Sequence, residues 1–433
     1  MDVIVGGGVV GLSIAWRLAR SGRPVTVVDP APASGASHAA AGMLAPVSEV
    51  TYTEAPLLRL GAASLRRWPA FAAELAADAG LSDTGSRDTG SCDTVEPPGG
   101  SALGGLEVGA EAGFDVGGAA RRGLDLRADG TLDVAFGADD LAVLDELAAF
   151  MEKLGLAVER LTGRECRRLE PMLAPSVRGG LLAPGDAWVD PRRVTAALLS
   201  ALERLDVPLV RARATGFLRE GDAVVGVRLA GDGRVTELRA ERVVLAAGAW
   251  SGELAEVPVR PVKGQIMRLR SPQPLLTRCV RGTVHGSPVY LVPRGDGELV
   301  VGATQEEMGF DTRVTAGGLY ELLRDARELV PGVTELEVAD VVAGLRPGTP
   351  DNLPIIGPSG TPGLTLATGH HRGGVLLAPL TAALITAGPL PEQAVKEPAE
   401  RPARELEGDT DDIGGDEGEL AALCSPGRFQ YIS

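Results

Sequence analysis

Aromatic residues are scarce in this chain, 3% of 433, so its cores must rest on Ala, Val and Leu within a hydrophobic total of 44%. Cysteine is scarcer still. The four present, Cys92, Cys166, Cys279 and Cys424, stand far apart with no Cys-x-x-Cys pair, which argues against a zinc site or a disulfide framework and fits a reducing compartment. There are also only four histidines, His38, His285, His370 and His371, and none has serine and carboxylate neighbours arranged as a triad. We read His38 and His285 as structural or exposed. Basic residues are short too: 42 Lys and Arg face 58 Asp and Glu, and the net charge of −16 argues against nucleic acid or an anionic membrane as partner. No apolar run is long enough to span a bilayer, and the chain opens directly on a strand pattern, so a soluble cytoplasmic protein is expected.

A chain of 433 residues exceeds the size at which one core stops growing, so two domains are expected. The acidity is uneven. Residues 391–433 hold eleven acids and four bases, −7 of the total −16, and are Pro-rich as well, which reads as a disordered acidic tail. Residues 82–124 read as a flexible insertion, with eleven glycines in the forty-two residues from 82 to 123, too little apolar surface to offset their ordering entropy.

What is abundant is glycine, 58 residues, and its placement matters most in the first thirty positions. Val3-Ile4-Val5-Gly6-Gly7-Gly8-Val9-Val10-Gly11 reads as a buried strand entering a helix, and a Val-rich strand ending at Asp29 follows. Gly6 permits the tight turn, Gly8 lets backbone amides approach a pyrophosphate, and Gly11 lets helix pack on strand. The helix N-terminus favours phosphate, and Asp29, eighteen residues beyond Gly11, can accept hydrogen bonds from a ribose. This is a dinucleotide site of FAD or NAD type.

Further along, Gly35 to Pro46 is a run of small residues that would let backbone lie against a flat ligand. Residues 56–79 read as a helix, and Leu141 to Leu154 and Val194 to Leu205 as two more. Between the latter pair, residues 185–191 form a crossing loop that caps the second. Residues 207–230 read as two strands around a Glu220-Gly221-Asp222 turn, and residues 242–251 as a buried parallel strand returning to the first sheet. Strands near Val289 and Leu299 and a helix from Leu319 to Leu329 suggest an α+β second domain.

Seven segments, GGGVVG, ASHAAAGMLAP, VVLAAGAWS, PVKGQ, YLVPR, GLRPGTPDNLPIIGP and GHHRGGVLLAP, resemble in kind and order the glycine oxidase branch of the D-amino-acid-oxidase family of flavoproteins. The resemblance covers about residues 1–81 and 125–390. It implies an α/β fold: a discontinuous Rossmann-like FAD-binding domain (residues 1–81, 187–265 and 350–390) and an α+β antiparallel-sheet substrate domain (125–186 and 266–349). It also implies FAD rather than NAD, held non-covalently, since no cysteine falls in the flavin-binding motifs.

By that resemblance Val9 and Val10 meet the pyrophosphate, Asp29 the ribose, Ala36 and Ser37 the dinucleotide, and Ala41, Gly42 and Met43 the isoalloxazine edge. Ala214 would touch the adenine side. His370, His371, Arg372, Gly373, Gly374, Val375 and Leu376 match the segment returning to the flavin. Arg346 and Tyr290 match the clamp for the substrate carboxylate, and Arg372 a third position beside the substrate. The activity implied is oxidation of glycine or small amines by dioxygen to imine, then oxo acid, ammonia and hydrogen peroxide, in thiamine biosynthesis. Oxidation of sarcosine, proline or a D-amino acid is the alternative. A homo-oligomer and a partner in thiazole synthesis are implied in the same way.

Overall fold

The computed structural model describes residues 1–49, 52, 54–81, 118–231, 234–387 and 416–429. Its first half is built on a six-stranded sheet. β1 (Asp2–Val5) lies at the centre, flanked by β2 (Val25–Val28) and β12 (Arg242–Leu245), with β8 (Leu209–Val210) outside β2 and β19 (Leu364–Thr368) then β18 (Ile355–Pro358) outside β12. All pairings are parallel except β18 on β19. The Val- and Leu-rich central strands are buried on both faces, as parallel strands covered on two sides must be. The first face is covered by helices Val9–Arg20, Pro191–Arg204 and Ala378–Thr386. A three-stranded antiparallel sheet covers the other, with β9 (Arg213–Glu220), β10 (Ala223–Gly231) and β11 (Arg234–Arg239).

The second half is an eight-stranded sheet in the order β17 (Glu337–Gly348), β13 (Arg260–Arg270), β16 (Glu298–Gly302), β15 (Ser287–Pro293), β14 (Cys279–Val284), β4 (Thr131–Ala135), β6 (Gly179–Ala183) and β5 (Glu159–Thr162). Every pairing is antiparallel except β14 on β4. Helix Ala316–Leu329 packs on one face. A two-stranded pair, β3 (Met43–Leu44) with β7 (Ala187–Trp188), joins the halves. Among the described residues no helix is long and apolar enough to cross a membrane.

Several expectations change. The helix read over 56–79 is two, Ala55–Leu65 and Trp68–Asp78, and Pro69 sits in the first turn of the second, where its missing N–H is tolerated. Three of the few aromatics do add to the Ala, Val and Leu core: Trp16 and Trp68 flank Phe71 edge-on at 5.1 and 5.3 Å, buried in the largest cluster. Residues 82–117 of the expected insertion lie outside the described residues, but residues 118–123 form a helical turn that buries Ala120 beside Leu124 and Leu126, so order resumes before 124. The acidic tail is also not uniform. Residues 416–429 form a helix, Glu417–Leu423, and a tight turn whose Leu420, Ala421 and Cys424 enter the core, while 391–415 and 430–433 lie outside the described residues. Finally, β13 runs through the boundary expected at 265, because its ladder with β17 continues unbroken from Arg260 to Arg268.

Candidate active site

A cavity of ≈ 1030 Å³ runs between the two sheets, from the β1 turn at one end to the floor of the eight-stranded sheet at the other. At the first end the wall is mostly backbone. Gly6 has φ +118, and a Cβ there would lie 2.2 Å from the Ala246 carbonyl oxygen. At Gly11 a Cβ would lie 2.0 Å from the Gly6 oxygen, so the helix can approach the strand only without one. Gly6, Gly8, Val9 and Val10 line the cavity, whereas Gly11 acts from behind as packing. Gly8 caps the helix with no side chain supplying the cap, so the helix N-terminus faces the cavity with donors available. Ser37 lines the same wall, and its hydroxyl accepts the Val9 N–H at 2.9 Å, leaving its own hydrogen to donate. Asp29 accepts from the amides of Gly7 and Ala31, both at 2.7 Å; two of its roughly four lone-pair sites remain.

Ala36, Ala41, Gly42 and Met43 line the middle of the cavity, and Ala214 on β9 lies at its far edge beside Arg213. This small-residue run is held by two buried arginines that the sequence reading passed over. Arg294, the last residue of YLVPR, donates to the carbonyls of Ala41 and of Val189, the latter at 3.1 Å. Arg268 donates to the Ala40 carbonyl at 3.3 Å and pairs with Glu298. Ala36–Ala39 form a short helix, but beyond them these bonds keep the chain from continuing as the helix that Ala-rich sequence favours, and it runs on to the strand Met43–Leu44.

The returning segment splits. His370, His371, Arg372, Gly374 and Val375 line the cavity, while Gly373 and Leu376 face an adjoining small void, and the Leu376 carbonyl accepts from Ser64 and Trp68. Burial pushes His370 down to about 3 and His371 down to about 4, the latter helped by Arg372 and Arg346, so both rings are neutral at working pH. His370 bonds Thr381 at 2.9 Å, and the buried Nδ1 of His371 has no partner among the described residues. A glycine cradle, a helix N-terminus on which Ser37 takes only the Val9 amide, and an orphaned ring nitrogen on one cavity wall fit a dinucleotide carrying a flat polar ring.

At the other end the wall is side chains. Arg346 on β17 lies across Gly264, where a Cβ would fall 2.4 Å from its Nη1, and Tyr290 on β15 lies across Gly302, where a Cβ would fall 2.4 Å from its hydroxyl. One guanidinium N–H donates to the Thr304 carbonyl at 3.2 Å; the other four and the phenol have no hydrogen bond among the described residues. Burial pushes the Tyr290 phenol up to about 12, with Arg346 opposing, so it remains a donor. Arg372, expected beside the substrate, lines the cavity with its guanidinium already engaged: it pairs with Glu54, which Asn352 also holds at 2.8 Å, and donates to the Glu49 carbonyl at 3.3 Å. No sequence signal links it to Glu54, 318 residues away.

Arg281, also unanticipated, is level with Tyr290 across β14 and β15 and with Asp133 across β14 and β4, and it lines the cavity. It donates to the Ser48 carbonyl at 2.8 Å. A charge in the otherwise apolar Cys279 to Val284 strand was the available signal. Asp186 anchors the same loop from below, accepting the amides of Val47 and Ser48 at 3.1 Å; burial still pushes it up to about 6.

The described residues contain no His, Cys, Asp and Glu cluster able to hold a metal. The family model described as FAD dependent oxidoreductase (DAO) matches residues 3–97 and 106–387. The chain is 34% identical over 384 residues to the bifunctional protein ThiO/ThiG of Nostoc sp., covering 88% of this chain and 51% of that protein, so it spans about half the length of that relative. It is 33% identical over 395 residues to the glycine oxidase of Geobacillus kaustophilus, covering 88% of this chain and 90% of that one. The crystal structure of glycine oxidase from Geobacillus kaustophilus superposes with a TM-score of 0.73 at 31% identity, covering 89% of this chain and 92% of that chain. With the glycine cradle and the matched residues reaching from the first strand to helix Ala378–Thr386, the chain belongs to the DAO family of FAD dependent oxidoreductases.

Proposed function

We propose that this flavoenzyme oxidises glycine and other small amino acids. The observation that carries the reading is the pairing of Arg346 and Tyr290, laid over Gly264 and Gly302 with their donors open to the cavity. A planar guanidinium and a phenol converging in this way suit a carboxylate, by charge-assisted hydrogen bonds from both. Glu54 fixes Arg372 at the wall, so that residue shapes the site rather than clamping the carboxylate. The neutral histidines supply no charged acid or base, which suits direct loss of hydride from the α-carbon of a neutral amine.

Bound FAD supplies the acceptor for that hydride and passes the two electrons to dioxygen. Glycine, dioxygen and water then balance to glyoxylate, ammonia and hydrogen peroxide through hydrolysis of the glycine imine. Likeness to the bifunctional ThiO/ThiG protein supports a place in thiamine biosynthesis, with a thiazole-forming partner taking the imine. The three unpaired buried cysteines among the described residues support a cytoplasmic setting.

The test is a visible spectrum under argon before and after adding glycine. Bleaching of the flavin band and its return on admitting air, with peroxide produced, is the expected result. Turnover of sarcosine, D-proline or a larger D-amino acid in clear preference to glycine would overturn the substrate assignment.

A further inference from the structure

Residues 416–429 lie beyond the family match yet return to the fold, packing on the large core, helix Ala55–Leu65 and strand β18. Their docking has ordinary causes. Leu420, Ala421 and Cys424 join the large core, Arg59 and Arg67 pair with Glu419 and Glu417 at 2.8 and 2.9 Å, and the Cys424 carbonyl accepts the Ile356 N–H at 2.9 Å on the outer strand β18. None of these contacts needs Arg428, whose side chain reaches instead onto the turn that leads out of the Arg346 strand.

There Nε donates to Asp351 Oδ2 at 2.7 Å, and Nη2 donates to Asp351 Oδ1 at 3.2 Å and to the Leu353 carbonyl at 2.8 Å. The residue between them, Asn352, has φ 60, a left-handed conformation that costs a non-glycine residue free energy and persists only where its surroundings hold it. In this conformation Asn352 Nδ2 donates to Glu54 Oε1 at 2.8 Å, and Glu54 is the carboxylate paired with Arg372. A rigid planar fork gripping both flanking residues suits this task better than a flexible ammonium.

We infer that Arg428 is a positioning residue: it holds the 351–353 turn so that Asn352 keeps Glu54, and through it Arg372, in place at the cavity wall. The inference rests on the amino-acid oxidase reading only for its kinetic consequence.

The full chain carrying Arg428→Ala, Arg428→Lys, Asn352→Gly, or Arg428→Ala with Asn352→Gly is compared with wild type by glycine kinetics, melting temperature and amide hydrogen exchange. Arg428→Ala should raise KM for glycine about three- to ten-fold with kcat within about two-fold, and Arg428→Lys should fall between it and wild type. The amides of 351–353 should exchange faster in Arg428→Ala while those of helix Glu417–Leu423 do not. Asn352→Gly, which keeps the left-handed backbone but removes the amide, should raise KM similarly, and the double variant should be no worse than either single change. Unchanged KM, additive effects, or exchange rising equally along the helix would overturn the inference and leave Arg428 as an anchor of the tail. Wild type that fails to reduce with glycine would defeat the substrate reading instead; unaltered exchange at 351–353 would then still overturn the positioning role.

Discussion

The six-stranded sheet meets the cavity with backbone, and the eight-stranded sheet meets it with side chains. At the first, Gly6, Gly8 and the open end of helix Val9–Arg20 present amides, and the decisive property is the absence of a Cβ. At the second, glycines are again present at 264 and 302, but each is a bed for a neighbour's side chain, Arg346 and Tyr290. A cofactor common to the whole family can be recognised by main chain, which tolerates drift elsewhere in sequence. A substrate distinguished by one carboxylate needs groups whose charge and reach can be exchanged.

This contrast can be broken at either end. The largest effect is expected from Gly11→Ala, whose Cβ would fall 2.0 Å from a backbone oxygen and force strand and helix apart. The protein should purify with little flavin and lose about 1–3 kcal/mol of stability, read from flavin-to-protein absorbance and denaturant unfolding. Arg346→Ala should act on the other end alone: flavin content unchanged, and kcat/KM for glycine down about ten-fold or more, for the loss of about 1.5–3 kcal/mol of charge-assisted contact. Gly264→Ala sharpens the comparison, because the atoms nearest its new methyl are the movable end of Arg346. It should lower glycine affinity roughly five-fold at wild-type melting temperature, whereas the same change at Gly11, in the helix packed on the first sheet, lowers stability.

Two further effects appear only as pH is varied. Asp186 has its pKa pushed up to about 6 in the fold against an ordinary value of about 3.9, so the folded state binds its proton more tightly than the unfolded state. Stability from this group is present below about pH 4 and is lost as pH rises to about 6, a change of order 2–3 kcal/mol. Asp186→Asn should remove that slope, apart from a constant loss of one hydrogen bond, when unfolding free energies are compared across this range. The smallest expectation is a flat line: with Tyr290 raised to about 12, KM for glycine should show no break from the phenol between about pH 7 and 10.

The same contrast governs what could be read from sequence. Gly6, Gly8 and Gly11 are legible because turn, phosphate approach and helix packing act within six residues of chain. Arg346 and Tyr290 were legible only through short motifs, whereas the glycines that make room for them, Gly264 and Gly302, lie on other strands. Their meeting depends on β17, β13, β16 and β15 lying side by side, which no local pattern encodes. Glu54, the partner of Arg372, and Arg268 and Arg294, which hold the flavin-side run, are matters of long-range register. The docked segment 416–429 was hidden by composition: acidic neighbours outweigh Leu420, Ala421 and Cys424, whose spacing becomes a face only once a core is there to receive it.

The β13 and β17 ladder has a further consequence. The two strands stay in register from Arg260 with Gly348 to Arg270 with Glu337, interrupted by one bulge, and the cavity lies against the ladder. Both strands belong to the eight-stranded sheet, so the wall that carries Arg346 cannot flex without breaking that ladder's hydrogen bonds. The next antiparallel pair ends differently: at the tip between β14 and β15 the chain reverses through His285 and Gly286, both at positive φ, and Gly286 to Pro288 border the cavity, so this short paired hairpin forms its rim.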